Sequence, residues 1–174
     1  MLAVVAALSV FGGCRRAAPV DAPAGNEATM AALGTVRALH HEADVYEDGN
    51  RLERASDAMR RVLALPLPAG LAEREDVRAD AWGRLAEFSI RSHRAGEALA
   101  IADEALRATR RESVLQARLL MVRGQALRVL AEAAAASGDA ATAARQREMA
   151  LASLEQSIEV NGRILRRLTD GGAR

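Results

Sequence analysis

The cluster His40-His41-Glu42-Ala43-Asp44 is the group of side chains in the sequence that most resembles a metal-ligand set. His40 and Asp44 are four residues apart, so they share one face if this segment is helical. A zinc site needs three or four converging ligands, and the sequence offers no second group of this kind. A small-ligand or metal-binding helical bundle that uses His40, His41 and Asp44 is therefore an alternative interpretation, with solvated or groove-lining histidines as the default.

Other patterns that could support catalysis are absent from the sequence. Ser92 and His93 are adjacent, and neighbours in sequence seldom face each other as nucleophile and base. No glycine-rich segment has the spacing of a phosphate-binding loop. The carboxylates alternate with arginines at helical spacing, which is typical of a solvated helix face. The sequence therefore predicts a protein that is not an enzyme and needs no cofactor.

The composition predicts an all-α protein that does not bind nucleic acid. The 174 residues are 50% hydrophobic and only 2% aromatic, alanine is the commonest residue, and alanine has the highest helix propensity. Every basic residue is arginine, and from Asn26 onward the arginines balance the acidic residues. Nucleic-acid binders usually carry a basic patch and stacking aromatic side chains, and this chain has neither.

The first fourteen residues have the pattern of an export signal. Leu2–Phe11 is an uncharged apolar run, followed by Gly12-Gly13-Cys14. Such a run is too short to span a bilayer, but it fits the hydrophobic region of a signal peptide. No Lys or Arg precedes it, so we expect the true initiator to lie upstream of Met1. A single cysteine excludes internal disulfides and the usual cysteine-rich zinc sites.

Small residues directly before a lone cysteine resemble the lipobox of bacterial lipoproteins. The resemblance implies a signal peptide over residues 1–13, cleavage before Cys14, and acylation of Cys14, which anchors the protein because each buried methylene contributes about 0.8 kcal/mol. Residues 14–25 carry two prolines and predict an extended tether. Arg15 stands where the inner-membrane retention signal has Asp, which favours the periplasmic face of the outer membrane. The alternatives are a buried structural cysteine, and Met1–Phe11 as the first helix of a cytoplasmic protein.

Residues 26–174 predict three helical hairpins. Leu39, Ala43 and Tyr46 share a face before a turn at residues 47–50, and Pro66 ends the second helix. A second turn falls at Ser92-His93-Arg94, and a third at Ser137-Gly138-Asp139. Further expectations are a long helix that begins at Leu71, an N-cap at Ser113, a third hairpin that ends at Asn161-Gly162, and a final capping segment at residues 163–168.

The central hairpin resembles a tetratricopeptide repeat. Trp82, Leu85, Ala86 and Ala98 match the repeat pattern, and the nine residues from Tyr46 to Ala55 recur between Ser89 and Ala98. The resemblance implies three antiparallel hairpins stacked as a short, irregular solenoid. In the third hairpin, Leu120, Gly124 and Leu127 are matched to the first-helix pattern, with Ala150, Leu154 and Ile158 on its second helix. A plain irregular helical bundle is the alternative.

In the tetratricopeptide family, the first helices of the hairpins line a groove that binds an extended peptide or a partner helix. The resemblance implies that the lining residues here are Arg37, His40, His41, Asp44, Asp80, Arg84, Glu87, Arg91, Arg118, Gln125 and Arg128. Taken together with the lipobox, it implies a membrane-anchored periplasmic scaffold for protein–protein interaction, of the type used in envelope, pilus or secretion assembly. Its partners would be other envelope proteins or peptides.

Overall fold

The computed structural model describes residues 22–171, and the side chains of residues 26–170. Within this range the chain is all-α, as the sequence predicts, and forms six helices without a strand. The helices are α1 (Ala22–Asp48), α2 (Leu52–Ala64), α3 (Arg74–Arg91), α4 (Ala95–Ala108), α5 (Val114–Ala136) and α6 (Ala140–Gly171).

Three connections have the same backbone geometry. Each has three residues, and the middle residue has a positive φ: 54° at Asn50, 59° at His93 and 82° at Gly138. In each connection the amide of the third residue donates to a carbonyl five residues earlier, over 2.8 to 2.9 Å. A left-handed residue followed by such a bond satisfies carbonyls that the helix end leaves unpaired. The second and third turns therefore lie where the sequence predicts them, and the first, at residues 49–51, begins two residues after the start of the predicted turn at residues 47–50.

This repeated geometry corrects the register of the third hairpin. Tyr46–Ala55 and Ser89–Ala98 bracket the first two turns, and the equivalent pair at the third turn is Ala134–Ala143. Ala55, Ala98 and Ala143 are all fully buried, because a helix pair that crosses just beyond a tight turn leaves room only for a small side chain. The match of Leu127 to Ala150 is therefore wrong. The buried small residue equivalent to Ala43 and Ala86 is Ala131 rather than Gly124.

Two predicted helix starts are displaced. The long helix with Trp82 begins at Arg74 rather than at Leu71, because Leu67 and Leu71 are buried in the core and the chain between them turns at Pro68. Helix α1 begins at Ala22, so the last four residues of the predicted tether are helical. The predicted N-cap at Ser113 is confirmed, since its side chain accepts a hydrogen bond from the amide of Gln116 at 3.2 Å.

Helix α6 does not end at Asn161-Gly162 but continues to Gly171. The arginines of the continued helix explain its length. Arg163 donates to Glu112 at 2.8 Å, and Arg167 donates to the same carboxylate. These hydrogen bonds lower the pKa of Glu112, and they tie the last turns of α6 to a residue two positions before the start of α5. The predicted short capping segment is therefore a part of α6.

Each helix packs against the next one along the chain, and α3 also packs against α5. The largest buried cluster joins α1, α2, α3 and the linker around Met59, Val62 and Phe88. Smaller clusters join α3, α4 and α5 around Ala98 and Leu119. Helices α5 and α6 pack closely at Gly124, where a Cβ would lie 2.9 Å from Cγ of Leu154. This order sets α1, α3 and α5 side by side, which brings most of the predicted groove residues to one surface.

Candidate interaction surface of helices α1, α3 and α5

Arg84 on α3 is the centre of a charged network with α1. Its guanidinium donates to Asp44 at 2.6 Å and to Glu47 at 3.2 Å, and it lies 3.2 Å from Nδ1 of His40. The guanidinium also lies 5.4 Å from the centre of the Phe88 ring, which is a cation–π distance. Only 12% of the Arg84 side chain is exposed. Arg84 therefore holds α1 against α3 and is not free to meet a partner.

Arg118 on α5 continues the network across α3. It donates to Asp80 at 2.7 Å and makes two bonds to Glu87, at 2.7 and 2.9 Å. The hydrogen bonds to Glu87, followed by the attraction of both carboxylates, raise the pKa of Arg118. A two-point guanidinium–carboxylate pair fixes direction as well as distance. Helices α3 and α5 are thereby locked in register on the same surface.

His40 connects both parts of the network. Its Nδ1 lies 3.6 Å from Asp80, one of the carboxylates that Arg118 binds. Burial lowers the pKa of His40, the neighbouring Arg84 lowers it further, and the attraction of Asp80 opposes both. Burial outweighs the carboxylate, so the neutral form is favoured. A neutral Nδ1 without a proton can accept the hydrogen bond from Arg84.

Arg37 and His41 are exposed on the side of α1 that borders this network. Arg37 lies one turn before His40, and it makes no ion pair with any residue whose side chain the structure describes. The two adjacent histidines thus differ, since His40 is packed into the network and His41 faces outward. Within residues 26–170, no three His, Cys, Asp or Glu side chains converge in a way that could hold a metal ion.

A shallow depression of about 250 Å³ lies at the end of the surface near the first two turns. It is lined by Glu47, Glu87, Ile90, Arg91 and Gln125, which come from all three helices. Arg91 is 45% exposed and pairs with Glu47. The depression presents carboxylate, guanidinium and amide groups around an apolar side chain, which are the groups that bind a peptide backbone and its charged side chains.

Arg128 lies away from the other predicted groove residues. It pairs with Glu132 one turn along α5 and lines a separate apolar depression of about 220 Å³ with Leu151 and Leu154 of α6. The two residues border different neighbours, since Gln125 lines a depression with residues of α1 and α3, whereas Arg128 lines one with residues of α6. Arg128 therefore belongs to the edge of α5 that borders α6.

Sequence reasoning missed the residues that connect the network from within. Glu47 receives bonds from both Arg84 and Arg91, although the sequence places it in the turn after α1. Arg123 is not among the predicted site residues, but it bridges Asp103 of α4 at 2.6 Å and Ser153 of α6 at 2.5 Å. The signal available for Glu47 was its spacing, three residues after Asp44 and seven after His40, on one helix face.

Three predicted features lie outside the described residues: the lipidation site at Cys14, the signal peptide over residues 1–13, and residues 14–21 of the tether. Among the helices that are described, none combines the length and the apolar composition that crossing a bilayer requires. Comparison with known proteins finds no matching family model, no similar curated protein and no similar solved structure.

Proposed function

We propose that this protein is a non-enzymatic scaffold, anchored by an acylated Cys14 to the periplasmic face of the outer membrane, that binds envelope proteins or peptides. Its binding surface is the common face of α1, α3 and α5. The observation that carries the proposal is that these three helices, the first of each hairpin, bring nine of the eleven predicted groove residues to that face or its border: Arg37, His40, His41, Asp44, Asp80, Arg84, Glu87, Arg91 and Arg118. Gln125 joins them in the depression near the turns.

The helix order supports a tetratricopeptide-like arrangement. Three turns of one geometry recur with buried small residues at equivalent positions, and alternate helices α3 and α5 are in contact. In a stack of repeats each repeat packs only against its neighbours, and these contacts together form one continuous core. The three-hairpin solenoid is therefore the arrangement that we propose, and a plain irregular bundle would not require the three turns to be alike.

The network divides the surface into a fixed part and an available part. Arg84 and Arg118 satisfy the carboxylates around them, so the centre of the surface is rigid and close to neutral. Arg37, His41 and Gln125 are exposed at its borders. A partner that carries carboxylates could bind these border groups without disrupting the ion pairs that hold the helices together.

The binding surface can be tested with a matched pair of charge reversals. Arg37→Glu on α1 and Arg54→Glu on α2 change the net charge equally, and both side chains are exposed. In a membrane cross-linking and pull-down experiment with the full chain, we expect Arg37→Glu to lose discrete partner proteins that Arg54→Glu retains. Retention of all partners by both variants would move the binding site away from this surface.

The membrane anchor is tested separately. Cys14→Ser removes the only thiol that can be acylated, so we expect the protein to move from the membrane fraction to the soluble fraction, with its helical content unchanged. Mass spectrometry of the mature wild-type chain should find an acylated Cys14 as the first residue. A Cys14→Ser protein that stays in the membrane fraction would contradict the lipid anchor and leave the interaction surface to be judged on its own test.

The second candidate is a small-ligand or metal-binding helical bundle that uses His40, His41 and Asp44. His40 and Asp44 both contact the guanidinium of Arg84, and their closeness favours this candidate. The guanidinium opposes it, because a positive charge 3.2 Å from Nδ1 of His40 repels a cation bound to that atom. Calorimetry with zinc or nickel on the full chain distinguishes the two candidates. Binding heat that disappears in His40→Asn would favour the metal site.

A further inference from the structure

Helix α6 carries a stripe of exposed apolar side chains. Leu151, Ile158, Leu165 and Leu168 are between 61% and 71% exposed. Large apolar side chains exposed along one stripe of a helix mark a candidate interaction site. We call the residues Arg147, Leu151, Leu154, Ile158, Asn161, Leu165 and Leu168 the α6 seam.

The spacing of the α6 seam is that of a coiled coil. Successive members are separated alternately by four and three residues, which places Leu151, Ile158 and Leu165 at the a positions of a heptad repeat. Leu154, Asn161 and Leu168 occupy the d positions. Another stripe of α6, which includes Ala143, Ala150 and Ser157, is buried against α5. Leu154 borders both stripes, since its side chain also lies next to Gly124 of α5. The exposed members of the α6 seam therefore form a second apolar stripe, additional to the one that stabilises the monomer.

We infer that the α6 seam is a homodimer interface, in which α6 of one copy packs antiparallel against α6 of a second copy. This inference rests on α6 alone and is independent of the lipid anchor and of the surface formed by α1, α3 and α5. A seam that pairs with itself about a two-fold axis needs apolar residues at equivalent distances from its centre. Here the two leucines before Ile158 and the two after Asn161 meet this requirement.

The antiparallel register gives a specific set of contacts. An a position of one helix meets a d position of the other, so Leu151 meets Leu168 of the second copy and Leu154 meets its Leu165. Ile158 meets Asn161 at the centre, on both sides of the two-fold axis. Four of the six layers are then purely leucine, and the polar Asn161 side chains lie next to each other across the axis, where they can form a hydrogen bond.

The charges beside the seam favour this direction. Glu155 and Arg166 flank the same edge of the seam, and neither forms an ion pair with a residue whose side chain the structure describes. In the antiparallel register Arg166 of the second copy lies two residues, or about 3 Å, along the axis from Glu155. In a parallel pair this edge would face the opposite edge of the second copy, so Glu155 and Arg166 would not meet across the seam. Because of the two-fold axis, the contact between Glu155 and Arg166 of the second copy occurs twice in the dimer.

Disulfide trapping in the full chain tests the register. In a Cys14→Ser background, which removes the natural thiol, Leu151→Cys and Leu168→Cys are introduced together. We expect mild oxidation to give a covalent dimer in which mass spectrometry finds Cys–Cys peptides that join positions 151 and 168. Each single cysteine variant should give little dimer, because equivalent positions lie about 25 Å apart in this register. Links of 151 to 151 would contradict the antiparallel arrangement.

Sedimentation of the same full chain tests the interface itself. Ile158→Glu places two carboxylates at the centre of the seam, so we expect the dimer to weaken at least about tenfold. Gln156→Glu adds the same charge on the exposed face of α6 opposite the seam and should leave association unchanged. Both variants should keep the wild-type circular dichroism, since both side chains are exposed.

Two results would overturn the inference. One is a monomeric full chain that gives no 151–168 disulfide, as expected if the apolar run Leu2–Phe11 of the same chain covers the seam. The other is a dimer that Ile158→Glu and Gln156→Glu affect equally, since association through the apolar N-terminal run would produce that result.

Discussion

Arg84 shows how one residue can look like a ligand-binding group in the sequence and serve a different purpose in the structure. A sequence pattern can place it on the polar face of α3, but it cannot show that Asp44, Glu47 and His40 surround it. Arg84→Glu would place a carboxylate beside those of Asp44 and Glu47, at a position where only 12% of the native side chain is exposed. Uncompensated buried charge is strongly destabilising, so Arg37 is the better residue with which to test binding.

The neutral His40 makes stability depend on pH. Burial lowers the pKa of His40 in the folded protein below its ordinary value of 6.5, so the unfolded chain takes up the proton first. The contribution of His40 to stability is therefore present above pH 6.5 and falls as the pH drops below it. We expect urea denaturation at pH 7.5 and pH 5.5 to show a smaller loss of stability for His40→Asn than for the wild type.

His41→Asn is the matched control for this prediction, because it makes the same change at the next residue, where the side chain is exposed. Its stability should fall with pH as that of the wild type does. If His40→Asn and the wild type lose the same stability between the two pH values, protonation of His40 does not weaken the network.

At the scale of the elements, the close packing of α5 against α6 depends on Gly124. A Cβ at this position would lie 2.9 Å from Cγ of Leu154 and 3.2 Å from the Ala150 carbonyl oxygen. Gly124→Ala should therefore lower the free energy of unfolding by about 1–3 kcal/mol, the usual cost of overpacking. Thermal or urea denaturation measures the difference.

Gly83 provides the control, since it is also a buried glycine inside a helix. A Cβ there would meet its nearest neighbours at 3.7 to 3.9 Å, which is ordinary van der Waals contact. Gly83→Ala should leave stability unchanged or raise it by about 0.5–1 kcal/mol through helix propensity. Equal effects at the two glycines would mean that α5 and α6 are further apart than the structure shows.

The ends of the helices could be predicted where neighbouring residues determine them. They could not be predicted where contacts with residues distant in sequence determine them. Pro66 ends α2, and Ser113 begins α5, because both effects lie within one turn of the helix. The length of α6 could not be predicted from Gly162, since its last turns depend on the bonds from Arg163 and Arg167 to Glu112. The third-hairpin register was missed because alanines fill nearly every position from Ala131 to Ala136, so no side chain marks the repeat.

At the scale of the whole molecule, the six helices expose two different surfaces. The face of α1, α3 and α5 is polar and internally paired, and the α6 seam exposes four large apolar side chains. The sequence could predict which residues lie on the first face, because helical periodicity reports direction around each helix. It could not predict which charges are already neutralised, because that depends on how neighbouring helices align.

The central claim is that partners bind the common face of α1, α3 and α5, and site-specific photo-cross-linking tests it most directly. A photoreactive residue is placed at Arg37, at Gln125, at Glu104 on the exposed side of α4, or at Leu151 in the α6 seam, in cells that produce the full chain. We expect discrete cross-linked proteins from Arg37 and Gln125 and none from Glu104, while Leu151 yields the homodimer. Cross-links from Glu104 with none from Arg37 or Gln125 would contradict the claim.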